Sequence, residues 1–259
     1  IFFADVAGDN PAMEYIRRSG MNQAIPGTWI QTAAAFGAVA PMALLASWMY
    51  AVRDSAPGVA EFFLGPVLFG GGMIFWLLFL HLVLCGDRLQ SLGLRVAGFG
   101  QDVFVGVLMG FGFLLLKHAT DPLLAGLFAP RPPSEEIMTL LIAVARDPVL
   151  LALWLGPVVW IGVAAFEELW RVVVLRRLWL IFSSPAGQWA ALVLVSVLVG
   201  AAHAYQGPAS IISIAMKSVL MGAYFKFSGR VRPLIVAHAV YDSVQIVMAV
   251  IAIREGALS

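Results

Sequence analysis

The sequence predicts an all-α, polytopic integral membrane protein with about seven transmembrane helices (seven to eight) and one interfacial helix. Of its 259 residues, 61% are hydrophobic and only 12% are charged, whereas charged residues make up about 25% of an ordinary soluble domain. The apolar residues are gathered into runs of about 20, the length that crosses a bilayer core. In an open chain only a helix satisfies every backbone group in lipid, so each run is predicted to be helical.

The predicted spans form one membrane domain, residues 28–253, between an N-terminal interfacial arm (1–27) and a C-terminal tail (254–259). No internal repeat and no low-complexity segment divides this domain further. The seven spans are residues 28–52, 60–85, 100–118, 148–180, 187–204, 208–227 and 232–253.

Capping residues mark two of the helix starts. Ser134, followed by two glutamates, predicts the N-terminus of a short interfacial helix that ends near Ala145. Asp147 as N-cap and Pro148 at the first helical position predict the start of the fourth span. As one helix, residues 148–180 would be roughly 48 Å long, so we expect one end to project from a 30 Å core.

Small residues in the second and third spans predict close helix packing. The second span carries Gly70-Gly71-Gly72, and the third carries Gly106 and Gly110 at GxxxG spacing. Glycines at such positions let helix backbones approach each other in a membrane.

The charge distribution excludes one class of partner and predicts an orientation. The net charge is +1 and no segment concentrates Lys or Arg, so we expect no nucleic-acid partner. Nine Lys and Arg residues lie in the N-terminal arm and in the loops after the second, fourth and sixth spans, against five on the other side. Positive residues favour the cytoplasmic side, which predicts a cytoplasmic N-terminus. The single cysteine, Cys85, excludes an internal disulfide.

Six ionisable residues inside or at the ends of apolar runs form the candidate site. Ionisable groups at membrane depth cost kilocalories unless they are paired, and by default they mark a functional site. The six residues are Glu167, Glu168 and Arg171 in the fourth span, His203 at the end of the fifth, and His238 and Asp242 in the last.

The spacing of these residues predicts which of them can pair on one helix. Glu167 and Arg171 are four residues apart, and Glu168 and Arg171 are three apart, so both carboxylates can share a face with the guanidinium. Arg171 can therefore neutralise one carboxylate and leave the other free. His238 and Asp242 are also four apart, so the carboxylate can fix the tautomer of the imidazole.

Together with His203, these groups can activate a water, polarise a peptide carbonyl and protonate a leaving amine. The same carboxylates and imidazoles are also zinc ligands, although no HExxH pair on one helix supports a metal site. Metal dependence is therefore left open, and a structural ion pair is the alternative for the two glutamates and Arg171. Glu61, Asp102 and Lys217 are expected to be interfacial, snorkelling or paired.

The order and spacing of the motifs resemble the CPBP (Abi) family, the type II CAAX prenyl proteases and bacteriocin-processing proteins. That family is marked by Glu-Glu-x-x-x-Arg, Phe-x-x-x-His and His-x-x-x-Asn or Asp motifs on successive membrane helices. This chain has Glu167-Glu168-Leu-Trp-Arg171, Val199-Gly-Ala-Ala-His203 and His238-Ala-Val-Tyr-Asp242. The flanking segments Arg176-Arg177-Leu178, Lys226-Phe-Ser-Gly-Arg230 and Leu92-Gly-Leu-Arg95 are similar too. The resemblance covers about residues 86–250.

Two departures from the family pattern leave two alignments open. Val199 stands where the family has Phe, and the first motif is one residue short. If the glutamate pair is matched, Glu167 corresponds to the water-activating glutamate. If Arg171 is matched, Phe166 occupies the catalytic place, which describes an inactive relative. One residue on a helix is a rotation of about 100°, so the two alignments differ in which side chain faces the histidines.

The resemblance implies an intramembrane endopeptidase acting on a membrane-associated peptide or protein, in a bacterial inner membrane. It implies that Glu167 is the base and that His203, with His238 and Asp242, stabilises the carbonyl and the transition state. Glu168 and Arg171 are then the supporting pair. No cofactor is required for the glutamate mechanism, and zinc is the metal alternative. The alternative function is a catalytically inactive helical subunit that scaffolds a larger membrane complex together with other membrane subunits.

Overall fold

The computed structural model describes residues 27–51, 58–94, 98–129 and 135–257, and every regular element within these ranges is a helix. The predicted all-α fold class is thereby confirmed. Residues 1–26 of the predicted N-terminal arm lie outside the described residues. So does Ser134, the predicted cap of the interfacial helix. The proposed domain limits stay a prediction.

Six helices are long and apolar enough to cross a membrane within the described ranges, and they match six of the seven predicted spans. The remaining predicted span coincides with α1, a helix of 24 residues. The helices are α1 (Thr28–Ala51), α2 (Val59–Phe79, continued by a π-helical turn, Leu80–Leu84), α3 (Phe99–Leu127), α4 (Glu135–Arg146), α5 (Pro148–Ile181), α6 (Pro185–Ala202), α7 (Pro208–Ser228) and α8 (Arg232–Arg254).

Helix α5 is the centre of the molecule. Its residues Val172, Val173, Val174 and Leu175 are each at most 1% exposed, so this part of the helix is buried on all sides. Helices α1, α2 and α6 pack against it, α6 and α7 form a hairpin, and α3 packs along α8. Helix α8 in turn packs against the N-terminal half of α5, which brings the last motif beside the first.

Helix α5 is bent, and the expectation of one continuous helix was wrong. It is α-helical to Leu153, π-helical over Trp154–Ala165 and α-helical again from Phe166. Gly156 has φ −90° and ψ −106°, outside the helical region, and Pro157 follows it. Proline has no backbone N–H to donate, so the Gly156-Pro157 pair is the feature of the sequence that indicates a bend in this helix. Wide π turns shift the rotational position of every residue that follows.

Two further boundaries test the sequence reading. The third span was predicted to end at residue 118, but α3 continues to Leu127. Lys117 and Asp121 pair along this extension at 2.5 Å, so charges that resemble a helix end are neutralised within the helix. The predicted start of α5 is confirmed, because the Asp147 side chain accepts hydrogen bonds from the backbone N–H of Val149 at 2.8 Å and of Leu150 at 3.3 Å.

Buried polar contacts join the helix ends that are predicted to lie on the cytoplasmic side. The Arg177 guanidinium donates to Gln31 Oε1 at 2.7 Å and to His81 Nδ1 at 3.2 Å, and it pairs with Asp87. These contacts join α5 to α1 and α2. A second set joins α3 to α8 and the turn before it, because Asp102 pairs with guanidinium groups at 2.6 and 2.5 Å. The prediction that Asp102 is paired is confirmed, whereas the side chain of Glu61 lies outside the described residues.

The predicted close contact between helices occurs at Gly70, Gly106 and Gly110, whereas nothing lies within 4 Å of a Cβ at Gly71 or Gly72. A Cβ at Gly70 would lie 2.7 Å from Gly162 Cα on α5. A Cβ at Gly106 would lie 2.5 Å from the Cβ of Val236 on α8, and one at Gly110 would lie 2.9 Å from a backbone carbonyl of the same helix. The absent side chains therefore set the distance between α3 and α8.

Gly106→Ala should lower the free energy of unfolding by about 1–3 kcal/mol, because the methyl group forces α3 away from α8. Gly112→Ala, on the same helix, is the matched control: nothing lies within 4 Å of a Cβ there, and alanine favours the helix more than glycine. Denaturation of the detergent-solubilised variants would measure both changes. Equal stability of the two variants would contradict the packing role of Gly106.

Candidate active site

The six predicted residues converge as two adjoining groups, one buried and one accessible. Glu167, Glu168 and Arg171 lie in the first turns after the π-helical part of α5. His203 follows the end of α6, and His238 lies in α8. The consecutive glutamates of α5 point into the two groups.

The buried group is built around Glu168 and Arg171. Their side chains are 0% and 3% exposed and form a direct ion pair. His238 Nδ1 donates to Glu168 Oε1 at 2.7 Å, and Arg171 Nε donates to the Ser218 hydroxyl at 3.0 Å. The carboxylate therefore has a partner for each oxygen, which a buried charge requires to be tolerated. Three helices, α5, α7 and α8, are joined by this group.

The accessible group pairs Glu167 with His203. Glu167 Oε1 lies 3.8 Å from His203 Nε2, and both side chains are partly exposed. His203 Nδ1 donates to the Val199 carbonyl at 2.8 Å, which leaves Nε2 to face the carboxylate. A separation of 3.8 Å is too long for a direct hydrogen bond but fits one shared water. His203 lies outside α6 because that helix ends at Ala202 and a single 3₁₀ turn, Ala204–Gln206, follows.

His238 links the two groups. Its Nε2 lies 3.4 Å from Asp242 Oδ2, one helical turn further along α8, while Nδ1 is bound to Glu168. The charge of Glu167 also acts on His238. His238 and Asp242 expose 15% and 25% of their side chains, against 16% for Glu167 and 17% for His203. The four side chains that a reactant could touch are thus the accessible ones, and the supporting pair is buried.

Two site neighbours were not singled out from the sequence. Tyr205 stacks beside His203 with ring centroids 6.0 Å apart. Burial raises the pKa of Tyr205 above its ordinary value, and the carboxylates of Glu167 and Asp242 raise it further, so the hydroxyl keeps its proton. Ser218, which holds Arg171, is fully buried. Neither residue belongs to a motif, and only the fold reveals their position.

Phe166 and Glu167, the two side chains that compete for the catalytic place of the first motif, point in different directions. Phe166 is 3% exposed and packs against Phe69, with ring centroids 5.4 Å apart and planes at 88°. It faces the hydrophobic core, whereas Glu167 faces His203. The geometry therefore agrees with the alignment on the glutamate pair. Arg171 pairs with Glu168, which leaves Glu167 as the free carboxylate that the spacing allowed.

The donor set gives little support to a metal centre. Within the described ranges no group of three or more His, Cys, Asp and Glu side chains is arranged to hold a metal. Both ring nitrogens of His238 face carboxylates, and Nδ1 of His203 faces a carbonyl. Zinc-bound histidines usually donate their other ring N–H to a carbonyl or carboxylate in the same way, so the metal alternative is decided by the chelator experiment below.

One part of the chain, which contains the candidate site, is similar to a known protein family. Residues 149–244 match the model of the family described as type II CAAX prenyl endopeptidase Rce1-like. The resemblance to the CPBP/CAAX protease family is thereby confirmed, and the matched region contains all six site residues. No curated protein and no solved structure shows significant similarity to the chain. The matched region is thus similar to the CAAX-type endopeptidases, and the chain around it carries helices that are long and apolar enough to span a membrane.

Arg171→Met should lower the free energy of unfolding by about 3–5 kcal/mol, because it leaves the buried Glu168 carboxylate without its cation. Adding Glu168→Gln should recover much of that loss. Lys117→Met is the matched control: it breaks an ion pair on α3 whose side chains are 36% and 47% exposed, and such pairs contribute at most about 1 kcal/mol. Detergent-based denaturation would measure all three, and a double variant no more stable than Arg171→Met would contradict the pairing.

Proposed function

We propose that the protein is an intramembrane endopeptidase in which Glu167 activates a water for attack on a peptide bond. The observation that carries the proposal is the position of Glu167: its carboxylate lies 3.8 Å from His203 Nε2, free of Arg171 and partly accessible. The family match supports protease chemistry in this region. The substrate is a membrane-associated peptide or protein, and a CAAX-type prenylated peptide is the first to test.

The reaction assigns one task to each accessible side chain. Glu167 takes a proton from a water that His203 Nε2 helps to orient, and the resulting hydroxide attacks the peptide carbonyl carbon. The oxygen of the tetrahedral intermediate becomes negatively charged, and the Nε2–H of His238, whose ring is then protonated at both nitrogens, stabilises it beside Asp242. When the carbon–nitrogen bond breaks, the proton held by Glu167 passes to the leaving amine. The products are a carboxylate and an amine.

The buried pair positions His238 for this task. Glu168 accepts from Nδ1 at 2.7 Å, so the ring is held with Nε2 directed toward Asp242 and the accessible side. Arg171 neutralises Glu168, so that the buried carboxylate does not compete with Glu167 as a base. Glu168 and Arg171 are therefore positioning residues, since they act through His238.

The competing candidate is an inactive subunit that scaffolds a larger membrane complex. The shortened first motif favours it, and the network among Glu168, Arg171 and His238 would then serve only to join helices. Such a subunit purifies at fixed stoichiometry with other membrane proteins and cleaves nothing. An enzyme purifies without a fixed partner. For either function, we propose that the protein lies in a bacterial inner membrane with its N-terminus in the cytoplasm.

Glu167→Gln should abolish cleavage, a loss of about 100-fold or more, because an amide keeps the shape of the side chain but cannot accept the proton. The assay is mass spectrometry of a prenylated CAAX peptide incubated with protein in liposomes. Glu255→Gln is the matched control, since Glu255 is exposed beyond the end of α8, and it should keep full activity. Undiminished cleavage by Glu167→Gln would transfer the role of base to another group.

Cleavage by the wild-type protein should survive prolonged treatment with a divalent-metal chelator. The reason is that in the proposed mechanism the Glu167 carboxylate itself takes the proton from the water, and no step uses a metal. The same peptide assay, with metal content measured before and after treatment, checks this. Activity that disappears with the chelator and returns with zinc alone would replace the glutamate mechanism by a metal-dependent one.

A further inference from the structure

Lys217 places a positive charge at mid-membrane depth next to the site. It lies on α7, nine residues after Pro208 and eleven before Ser228, or about 14 and 17 Å from the two helix ends at 1.5 Å per residue. A four-carbon stem does not bridge that distance, so the ammonium does not reach an interface by snorkelling. Of the three expected alternatives, an interfacial, a snorkelling or a paired lysine, the position in the helix leaves the paired one.

The surroundings of Lys217 are those of the candidate site. Its Nζ lies 3.7 Å from the ring centroid of Tyr241, the residue before Asp242. Its charge interacts with those of Asp242 and Glu167. The neighbouring residue, Ser218, holds Arg171. Lys217 thus extends toward the accessible group rather than toward lipid.

The ammonium has a cation–π partner but no direct carboxylate partner. Across the ranges that the structure describes, no Asp or Glu oxygen lies within 4.0 Å of Lys217 Nζ. An ammonium has three N–H donors, and the face of one ring accepts in one direction only. A lysine within a membrane-spanning helix is costly unless its charge finds a partner. A negatively charged oxygen from a bound molecule is the partner that would complete its environment.

Balancing the charge of Asp242 does not account for this arrangement. A stable intramembrane ion pair brings its charges into contact, as Glu168 and Arg171 do. Asp242 is instead oriented toward His238 at 3.4 Å, and Lys217 stands over the adjacent tyrosine ring. Lys217 therefore lies near Asp242, the residue after Tyr241, without direct contact between the two charges.

We propose that Lys217 determines specificity by binding a carboxylate of the substrate peptide, and thereby orients the scissile bond between Glu167 and His238. The inference deepens the proposed function and rests on it for its biological meaning. The carboxylate has two possible sources, the free C-terminus of the peptide or an acidic side chain near the cleaved bond. Both present the same charged oxygen pair to the ammonium.

The test measures binding separately from cleavage. Protein carrying Glu167→Gln in nanodiscs is titrated with fluorescent prenylated CAAX peptides, and anisotropy reports the Kd. One peptide has a free C-terminal carboxylate, the second a C-terminal amide, and the third a C-terminal amide with Glu in place of the last residue. We expect one carboxylate-bearing peptide to bind about tenfold more tightly than the plain amide, and which one does so identifies the source.

Variants then assign the preference to Lys217. Lys217→Met, which keeps an apolar stem, should remove the tenfold preference, and Lys217→Arg should retain it. Lys226→Met is the matched control: Lys226 is on the same helix but contacts Gln188 and the Trp179 ring instead, and its loss should leave the preference intact. If Lys217 only balanced Asp242, Asp242→Asn would restore the preference to Lys217→Met, and we expect no such recovery. Thermal unfolding of each variant checks that it is folded.

The outcomes separate this inference from the proposed function. Equal binding of all three peptides, no binding of any, or a preference that persists in Lys217→Met overturns the role of Lys217. Cleavage assays with the protein that retains Glu167 run in parallel. Discrimination without cleavage would refute the peptidase and keep the carboxylate site, whereas cleavage without discrimination would do the reverse.

Discussion

The buried ion pair between Glu168 and Arg171 is the interaction on which the rest of the site depends. Neither charge is tolerable in a membrane interior alone, and with Glu168 held by Arg171 the preceding residue, Glu167, lies about 100° around the helix, on the accessible side. The pair also recruits a neighbour from each of two further helices, Ser218 from α7 and His238 from α8. One electrostatic requirement thus holds three helices in the arrangement that chemistry needs.

The bend in α5 immediately precedes the first motif, in which Glu167 faces His203. A π-helical stretch ends at Ala165, immediately before the motif, and its wider turns change the angular position of all later residues relative to a straight α-helix. The length of the first motif and the π-helical turns before it both affect the rotational position of its residues around the axis of α5. Phe166 consequently turns into the core beside Phe69, and Glu167 turns toward His203. The sequence of the motif does not give the rotational position of Phe166 and Glu167 around the helix.

The helices outside the family match act as the support of the matched region. Trp170, in the middle of α5, donates from Nε1 to the Ala38 carbonyl on α1 at 2.8 Å. Arg177 donates hydrogen bonds to Gln31 on α1 and to His81, in the π-helical turn that continues α2. Gly106 and Gly110 bring α3 against α8. These contacts immobilise the two helices that carry most of the site, and a site built on rigid elements keeps its geometry.

Hydrophobic runs determined the membrane fold, because lipid permits only helices in an open chain, and i, i+3 and i, i+4 spacing determined that Arg171 reaches a glutamate and Asp242 reaches His238. Those relations are local, and local geometry follows from residue order. The tertiary structure decided which glutamate Arg171 takes, that Glu167 rather than Phe166 faces His203, and that Lys217 lies over Tyr241 instead of at an interface. Each of these depends on the bend at Gly156 and on contacts between helices far apart in the chain. Sequence spacing measures neither.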